Sequence, residues 1–252
     1  MDFSCWVRQF EDAARERGVA AEPDWDHAAA ALPDGLVRSL QRFQTGENGD
    51  GASLIGKAVR AGDPQYLAAA RMFVAEEQNH ARLLALVLAR AGRPTIAGHW
   101  SDTVFVAVRR ALGLRLELMT LMLAEVVALR YYRALRDGVT DPVLSDVAGR
   151  ILVDEQRHVP FHVDRLRQGL ADLPAPARAV LAAGWWTLCA GAIGVVAVGH
   201  AAGLRALGVA PARFAMDVAG LFHGVVREVL GAGRHGSPSS AAGTGSPVSP
   251  AR

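Results

Sequence analysis

Apolar residues recur at helical spacing along most of this chain, and Gly and Pro cut the pattern into segments. Residues 2–17 set Phe3, Trp6, Val7 and Phe10 on one face against Arg and Glu on the other, which predicts a short amphipathic helix. Pro23 to Pro33 reads as a connector. A first long helix is predicted from Pro33-Asp34 to Ala61, closed by Gly62, and Asp63-Pro64 opens a second that runs to Ala91 before Gly92-Arg93-Pro94. The third covers 101–136 and ends at Asp137-Gly138. Thr140-Asp141-Pro142 starts a fourth, which reaches Gly169. The stretch Ala179–Gly199 has no charged residue over 21 positions, the length of a membrane span. Gly184, Gly191 and Gly194 dilute it, however, and Trp185 and Trp186 lie at its middle rather than its ends. It is expected to be a helix buried on the rest of the domain or on a second subunit, with membrane contact as the competing reading. A sixth helix follows Gly208 and Pro211 and ends near Leu230. The Gly, Ser, Ala and Pro of residues 231–252 predict a disordered tail. The organisation expected is an N-terminal helix and connector (1–33), one all-α unit (34–230) and the tail.

Against this apolar background, two Glu-x-x-His quartets stand out: Glu77-Gln-Asn-His80 and Glu155-Gln-Arg-His158. Positions i and i+3 share a helix face, so each quartet can grip one cation. With ten Glu and eight His in the chain, composition alone would give roughly 0.3 such pairs. Each quartet also has a lone Glu in the preceding helix at the same offset, since 77 − 47 = 30 and 155 − 125 = 30. A hairpin returns to its starting level when its arms are equal. Glu47 lies 14 residues before Ala61 and Glu77 lies 13 after Pro64, about 21 and 20 Å of helix. The second hairpin is built alike. Glu47, Glu77, His80, Glu125, Glu155 and His158 should therefore converge as four carboxylates and two imidazoles, the ligand set of a dinuclear iron or manganese site in a four-helix bundle.

Composition narrows the alternatives. Half of the 252 residues are hydrophobic, enough for one large helical core. The net charge of +2 is spread over 27 basic and 25 acidic residues, so no nucleic-acid footprint is visible. Cys5 and Cys189 are the only cysteines, which leaves zinc ribbons, rubredoxin-type centres and iron–sulfur clusters unsupported. The N-terminus shows no secretory signal, and a bacterial cytoplasm is the expected compartment.

Taken singly, each residue has an ordinary reading. Glu125, among Leu118, Met119, Leu121, Met122, Val126 and Val127, would be an ion-paired core carboxylate, because a buried unpaired one costs several kcal/mol or protonates. A lone His80 or His158 would hydrogen-bond a carbonyl. Their shared spacing turns both readings toward ligation. Glu76 and Asp154, each just before a ligand Glu, are candidates to hold the outer nitrogen of an imidazole across the bundle. The glycines of Gly46-Glu-Asn-Gly-Asp-Gly51 weaken the first helix and leave Asp50 as a possible extra ligand. Glu117 sits about 12 Å above the metal level, where His162 could meet it.

The runs Glu76-Glu77-Gln-Asn-His80 and Asp154-Glu155-Gln-Arg157-His158 resemble the paired motifs of ferritin-like di-iron oxygenases, notably monooxygenase hydroxylases and acyl-carrier desaturases. Glu125 through Tyr131-Tyr132 also looks like the third helix of aldehyde-deformylating oxygenases, where a Tyr follows the ligand Glu by seven residues. The resemblance covers residues 35–168. It implies a ferritin-like four-helix bundle, to which the chain's own pattern adds an N-terminal and two C-terminal helices, and it adds Arg157 and Tyr132 to an outer shell in which spacing already sets Glu76, Asp154, His162 and Glu117. It also implies two Fe ions, with Mn/Fe as a variant, and dioxygen as co-substrate. The expected activity is oxidation of a small, largely apolar or amine-bearing substrate, with electrons from a separate ferredoxin or reductase. Iron storage of the bacterioferritin kind and a membrane-surface quinone hydroxylase are the alternatives.

Overall fold

The computed structural model describes residues 2–27, 32–111 and 113–231, and among them it is all-helical, with no strand. The predicted tail falls almost wholly outside the described residues. The N-terminal helix α1 spans Ser4–Val19, and α2 (Asp34–Glu47) and α3 (Ala52–Ala61) follow the connector. The two longest predicted starts are built by one device. In α4 (Pro64–Arg90), the Asp63 carboxylate accepts the Tyr66 N–H at 2.9 Å, with Pro64 in the first turn. In α7 (Pro142–Leu170), which follows α5 (Trp100–Ala111) and α6 (Leu114–Gly138), Asp141 accepts the Leu144 N–H at 2.7 Å, with Pro142 behind it. The chain closes with α8 (Ala175–Gly199), the short α9 (Ala201–Ala206) and α10 (Pro211–Leu230).

Two of the predicted long helices are broken. The segment expected to be continuous from Asp34 to Ala61 stops at Glu47 and restarts at Ala52. Gly51 there is left-handed (φ 63°), and Asp50 accepts the Ala52 N–H at 3.0 Å. Local hydrogen bonding by Asp and the entropy cost of three glycines outweigh one turn of helix there. The helix expected over 101–136 is interrupted ahead of Leu114, where Gly113 is extended (ψ 175°).

Helix α2 lies along α4, α6 along α7, and α4 touches α7, while α3 and α5 pack on α6. Helix α1, with Phe3 just before it and Phe10 within it both buried, covers α4. The apolar core falls into two clusters. One holds Phe73, Val74, Leu118, Met122, Val126 and Phe161, and the other Leu84, Leu88, Tyr131, Leu135, Ile151 and Leu152. Along α4 the clusters are separated by residues 76–80, and along α7 by residues 154–158, so the acidic and imidazole side chains form a polar slice through the middle of the molecule.

Helix α8 departs from expectation. It is the one helix among the described residues long and apolar enough to cross a membrane by length and composition, yet only 11% of its apolar window is buried. Trp185 and Cys189 make its buried seam, the Trp185 indole donating to the Met119 carbonyl at 2.8 Å. The described residues do not enclose this helix.

Candidate metal centre

Each helix brings its share of the polar slice for a local reason. Glu47 is the last residue of α2, placed there by the turn that follows. Glu77 with His80, and Glu155 with His158, project from single faces of α4 and α7, and Glu125 comes from the middle of α6. All but Glu77, which is 18% exposed, are buried.

Their ligand atoms gather in two overlapping groups. Glu47, Glu77, His80 and Glu155 form one, Glu77, Glu125, Glu155 and His158 the other, with the atoms of each group within 4.8 Å of one another. Glu77 and Glu155 belong to both. His80 Nδ1 stands 3.5 Å from Glu77 Oε1 and 3.6 Å from Glu155 Oε1. His158 Nδ1 stands 3.2 Å from Glu77 Oε1 and 3.5 Å from Glu125 Oε2. None of these approaches is a hydrogen bond. Glu77 Oε1, His80 Nδ1, Glu125 Oε2, Glu155 Oε2 and His158 Nδ1 are buried without a hydrogen-bond partner among the described residues. One such orphan costs about 1–3 kcal/mol, and five facing a common space make the pattern that bound cations would satisfy.

The outer nitrogens are held in a crossed arrangement. His80 Nε2 donates to Asp154 Oδ2 at 3.1 Å, and His158 Nε2 donates to Glu76 Oε2 at 2.9 Å, so the acid of each motif serves the imidazole of the other. With Nε2 tied to an acid, Nδ1 is the nitrogen that faces the interior, and it would offer its lone pair to a cation on losing its proton. Arg157 donates to both acids. Arg17, from α1, pairs with Glu76 at 2.7 Å and Asp154 at 3.0 Å. Sequence reasoning missed Arg17. The one clue was that two buried acids, 78 positions apart in sequence (154 − 76), needed more positive charge than Arg157 supplies.

Without cations, Glu47 and Glu125 are held back from ionising. Burial and then the neighbouring charges of Glu77 and Glu155 push Glu47 well above the usual carboxylate range. Burial, Glu155 and Glu77 do the same to Glu125. Burial would also raise Glu77, but the two imidazoles outweigh it and hold Glu77 low. The imidazoles are raised in turn: burial opposes their charge, and the carboxylates around them, Asp154 first for His80 and Glu125 first for His158, overcome it. Two divalent ions would bring four positive charges into the cluster and displace the protons that the raised groups hold.

The remaining predicted residues take varied places. Tyr132 donates to Glu47 Oε1 at 2.6 Å, and its neighbour Tyr131 stacks on Phe43 at 3.7 Å. Glu117 does not meet His162. Its carboxylate is claimed by Lys57 at 2.6 Å and Ser53 at 3.2 Å on α3, a partnership the unbroken-helix reading concealed. His162 is buried with neither ring nitrogen hydrogen-bonded, 3.9 Å from Glu125 and edge-on to Phe73. Burial holds its pKa down to about 3. Asp50 stays outside both ligand groups, 70% exposed and 3.8 Å from Arg110, because it caps α3.

A cavity of about 980 Å³ reaches the cluster. Glu47, Glu77, Glu125 and Glu155 line it, and its walls come from the turn at 46–51 and from α5, α6 and α8, including Phe105, Leu121, Leu188 and Val196. In comparisons with protein-family models, curated proteins and solved structures, this chain matches none significantly.

Proposed function

We propose that the protein is a ferritin-like, non-haem di-iron oxygenase or oxidase that uses dioxygen to oxidise a small, largely apolar or amine-bearing organic molecule. The observation that carries this reading is the pair of overlapping four-residue ligand groups sharing Glu77 and Glu155. A ferritin-like arrangement is supported by two helix pairs, α2 with α4 and α6 with α7, each giving one lone Glu and one Glu-x-x-His. Oxygen-rich donors with two imidazoles and no thiolate suit iron or manganese, and a mixed Mn/Fe pair fits the same donors.

When bound, a ferrous pair supplies the electrons and the coordination positions that dioxygen chemistry needs. The chain's own part is placement and exclusion. Asp154 and Glu76 fix both imidazoles, and Tyr132 fixes Glu47, which lines the cavity. Phe73, Val74 and Leu121 wall the site from water, and the cavity has room for an organic molecule beside the shared carboxylates. Electrons come from a separate ferredoxin or reductase, and the cavity supports oxidation of an organic substrate over storage of mineral.

The test is stoichiometric first. Anaerobic Fe(II) titration should saturate at two ions per chain, and Glu125→Ala or His158→Ala should lower that number; unchanged binding in both variants rejects the site. With a reductase present, the loaded protein should consume dioxygen repeatedly. Retention of hundreds of irons per assembly after gel filtration would replace this reading with storage.

A further inference from the structure

The cavity opens on a face that is apolar on the outside as well as within. On α5, Trp100, Val104 and Val108 are 62%, 55% and 40% exposed, a stripe at i, i+4 and i+8, and all three also line the cavity. On α8, Val180 and Val198 are 74% and 79% exposed and, 18 residues apart, lie about five full turns along one line. At about 100° per residue, Gly184, Thr187, Leu188, Gly191, Gly194 and Val195 fall within about 80° of that line, and all are exposed. The buried seam of Trp185 and Cys189 lies on the opposite side. No charged side chain interrupts the exposed arc. Leu188, Gly191 and Val195 belong both to it and to the cavity lining.

The charge around this face is one-sided. Arg42, Arg109 and Arg110 line the cavity against the single rim acid Asp50, the other carboxylates being the cluster on its floor. From Leu173 to Met216 there is no Asp or Glu. Apolar surface bordered by arginine is the combination that binds the interface of a membrane with anionic headgroups. A second copy of the chain could also cover α8, but it would cover Leu188, Gly191 and Val195 and so close the cavity from which they cannot be separated. A fluid lipid surface shields the same residues and leaves the opening passable to an apolar molecule.

We infer that the face formed by α5 and α8 seats this protein on an anionic lipid bilayer, and that the cavity takes its substrate, a lipophilic molecule, sideways from the lipid phase. The delivery of substrate rests on the oxygenase reading above. The docking does not.

The experiment is co-sedimentation of the full chain with vesicles of phosphatidylcholine alone and with a third of phosphatidylglycerol, at low and high salt. The chain should pellet with the anionic vesicles, less with the neutral ones, and less at high salt. The double variant Val180→Glu/Val198→Glu, both at exposed positions, should lose about tenfold or more of that partitioning while keeping its far-ultraviolet dichroism. In a second measurement on the wild type, brominated lipid should quench tryptophan emission, and Trp100→Phe should remove most of the quenching. Failure to pellet with either vesicle, or undiminished pelleting of the double variant, overturns the inference. So does a dimer in solution that the double variant abolishes, which would give the face to a second copy. Iron content is read on the same samples. Two ions per chain without vesicle binding defeats the docking alone, whereas vesicle binding by a chain that takes up no iron defeats the metal reading alone.

Discussion

Asp154 and Glu76 each hold the imidazole supplied by the other motif, so a change at one acid should be felt at one metal position. Asp154→Asn preserves shape and removes charge. It is expected to weaken one of the two ions by about 10–100-fold, measured by anaerobic Mn(II) calorimetry, and equal weakening at both positions would contradict the crossed arrangement. A second residue governs acid stability. His200 has Nδ1 2.7 Å from the Ser39 hydroxyl, and burial, then the charges of Arg42 and His99, hold its pKa down to about 4. The unfolded chain binds that proton near pH 6.5 and the folded chain does not, so the contribution is complete above pH 6.5 and is lost as pH falls toward 4. Denaturant unfolding should show the gap between wild type and His200→Asn shrinking across that window; a constant gap rejects the assignment. At this scale the residues that gather were legible because side chains meeting at one level need set spacing: i to i+3 within a helix and equal offsets between helices. Arg17 and Lys57 were not, because long side chains that neutralise a distant acid leave no local periodicity.

The turn between α2 and α3 decides how an element-scale change will behave. Gly46 is helical, with open space where a Cβ would go, so Gly46→Ala should stabilise by about 0.5–1 kcal/mol. Gly51 is the opposite case. Its φ is +63°, and an added Cβ would lie 2.4 Å from Val74 Cγ2, so Gly51→Ala should destabilise by more than 1 kcal/mol. Chemical denaturation of the two variants checks both signs, and equal signs would refute the account. The starts of α4 and α7 could be read from Asp-Pro pairs, because a cap is a local interaction. The breaks after Glu47 and ahead of Leu114 could not, since apolar periodicity continues across them and only the cost of Gly and the competing bond of Asp50 tip the balance. The equal-arm argument for Glu47 thus relied on a helix that does not continue. Glu47 still joins Glu77, because α2 packs along α4 whatever follows it.

The whole molecule is cut by its polar slice into two apolar clusters, so its stability should depend on what fills the slice. Metal that binds only the folded chain stabilises by RT ln(1 + [L]/Kd), about 2.7 kcal/mol for each site at a hundred times Kd. For a chain of this size, that corresponds to a rise of very roughly 10 °C or more for two sites. Anaerobic Mn(II) should raise the melting temperature of the wild type and leave that of a Glu77→Ala, Glu155→Ala variant nearly unmoved; an equal rise in both would place the metal elsewhere. Arg17 adds a consequence in time. Its partner Asp154 lies 137 residues further along the chain, so a ribosome working at about 5–20 residues per second delivers the second half of the outer shell roughly 7–27 s after the first. For the first 59 residues of that interval (76 − 17) α1 has its charge and neither acid, and over the last 74 (154 − 80) α4 carries a complete Glu-x-x-His with no counterpart. On the metal reading proposed above, a cation captured then would meet only part of its coordination, and the arrival of α7 would complete it.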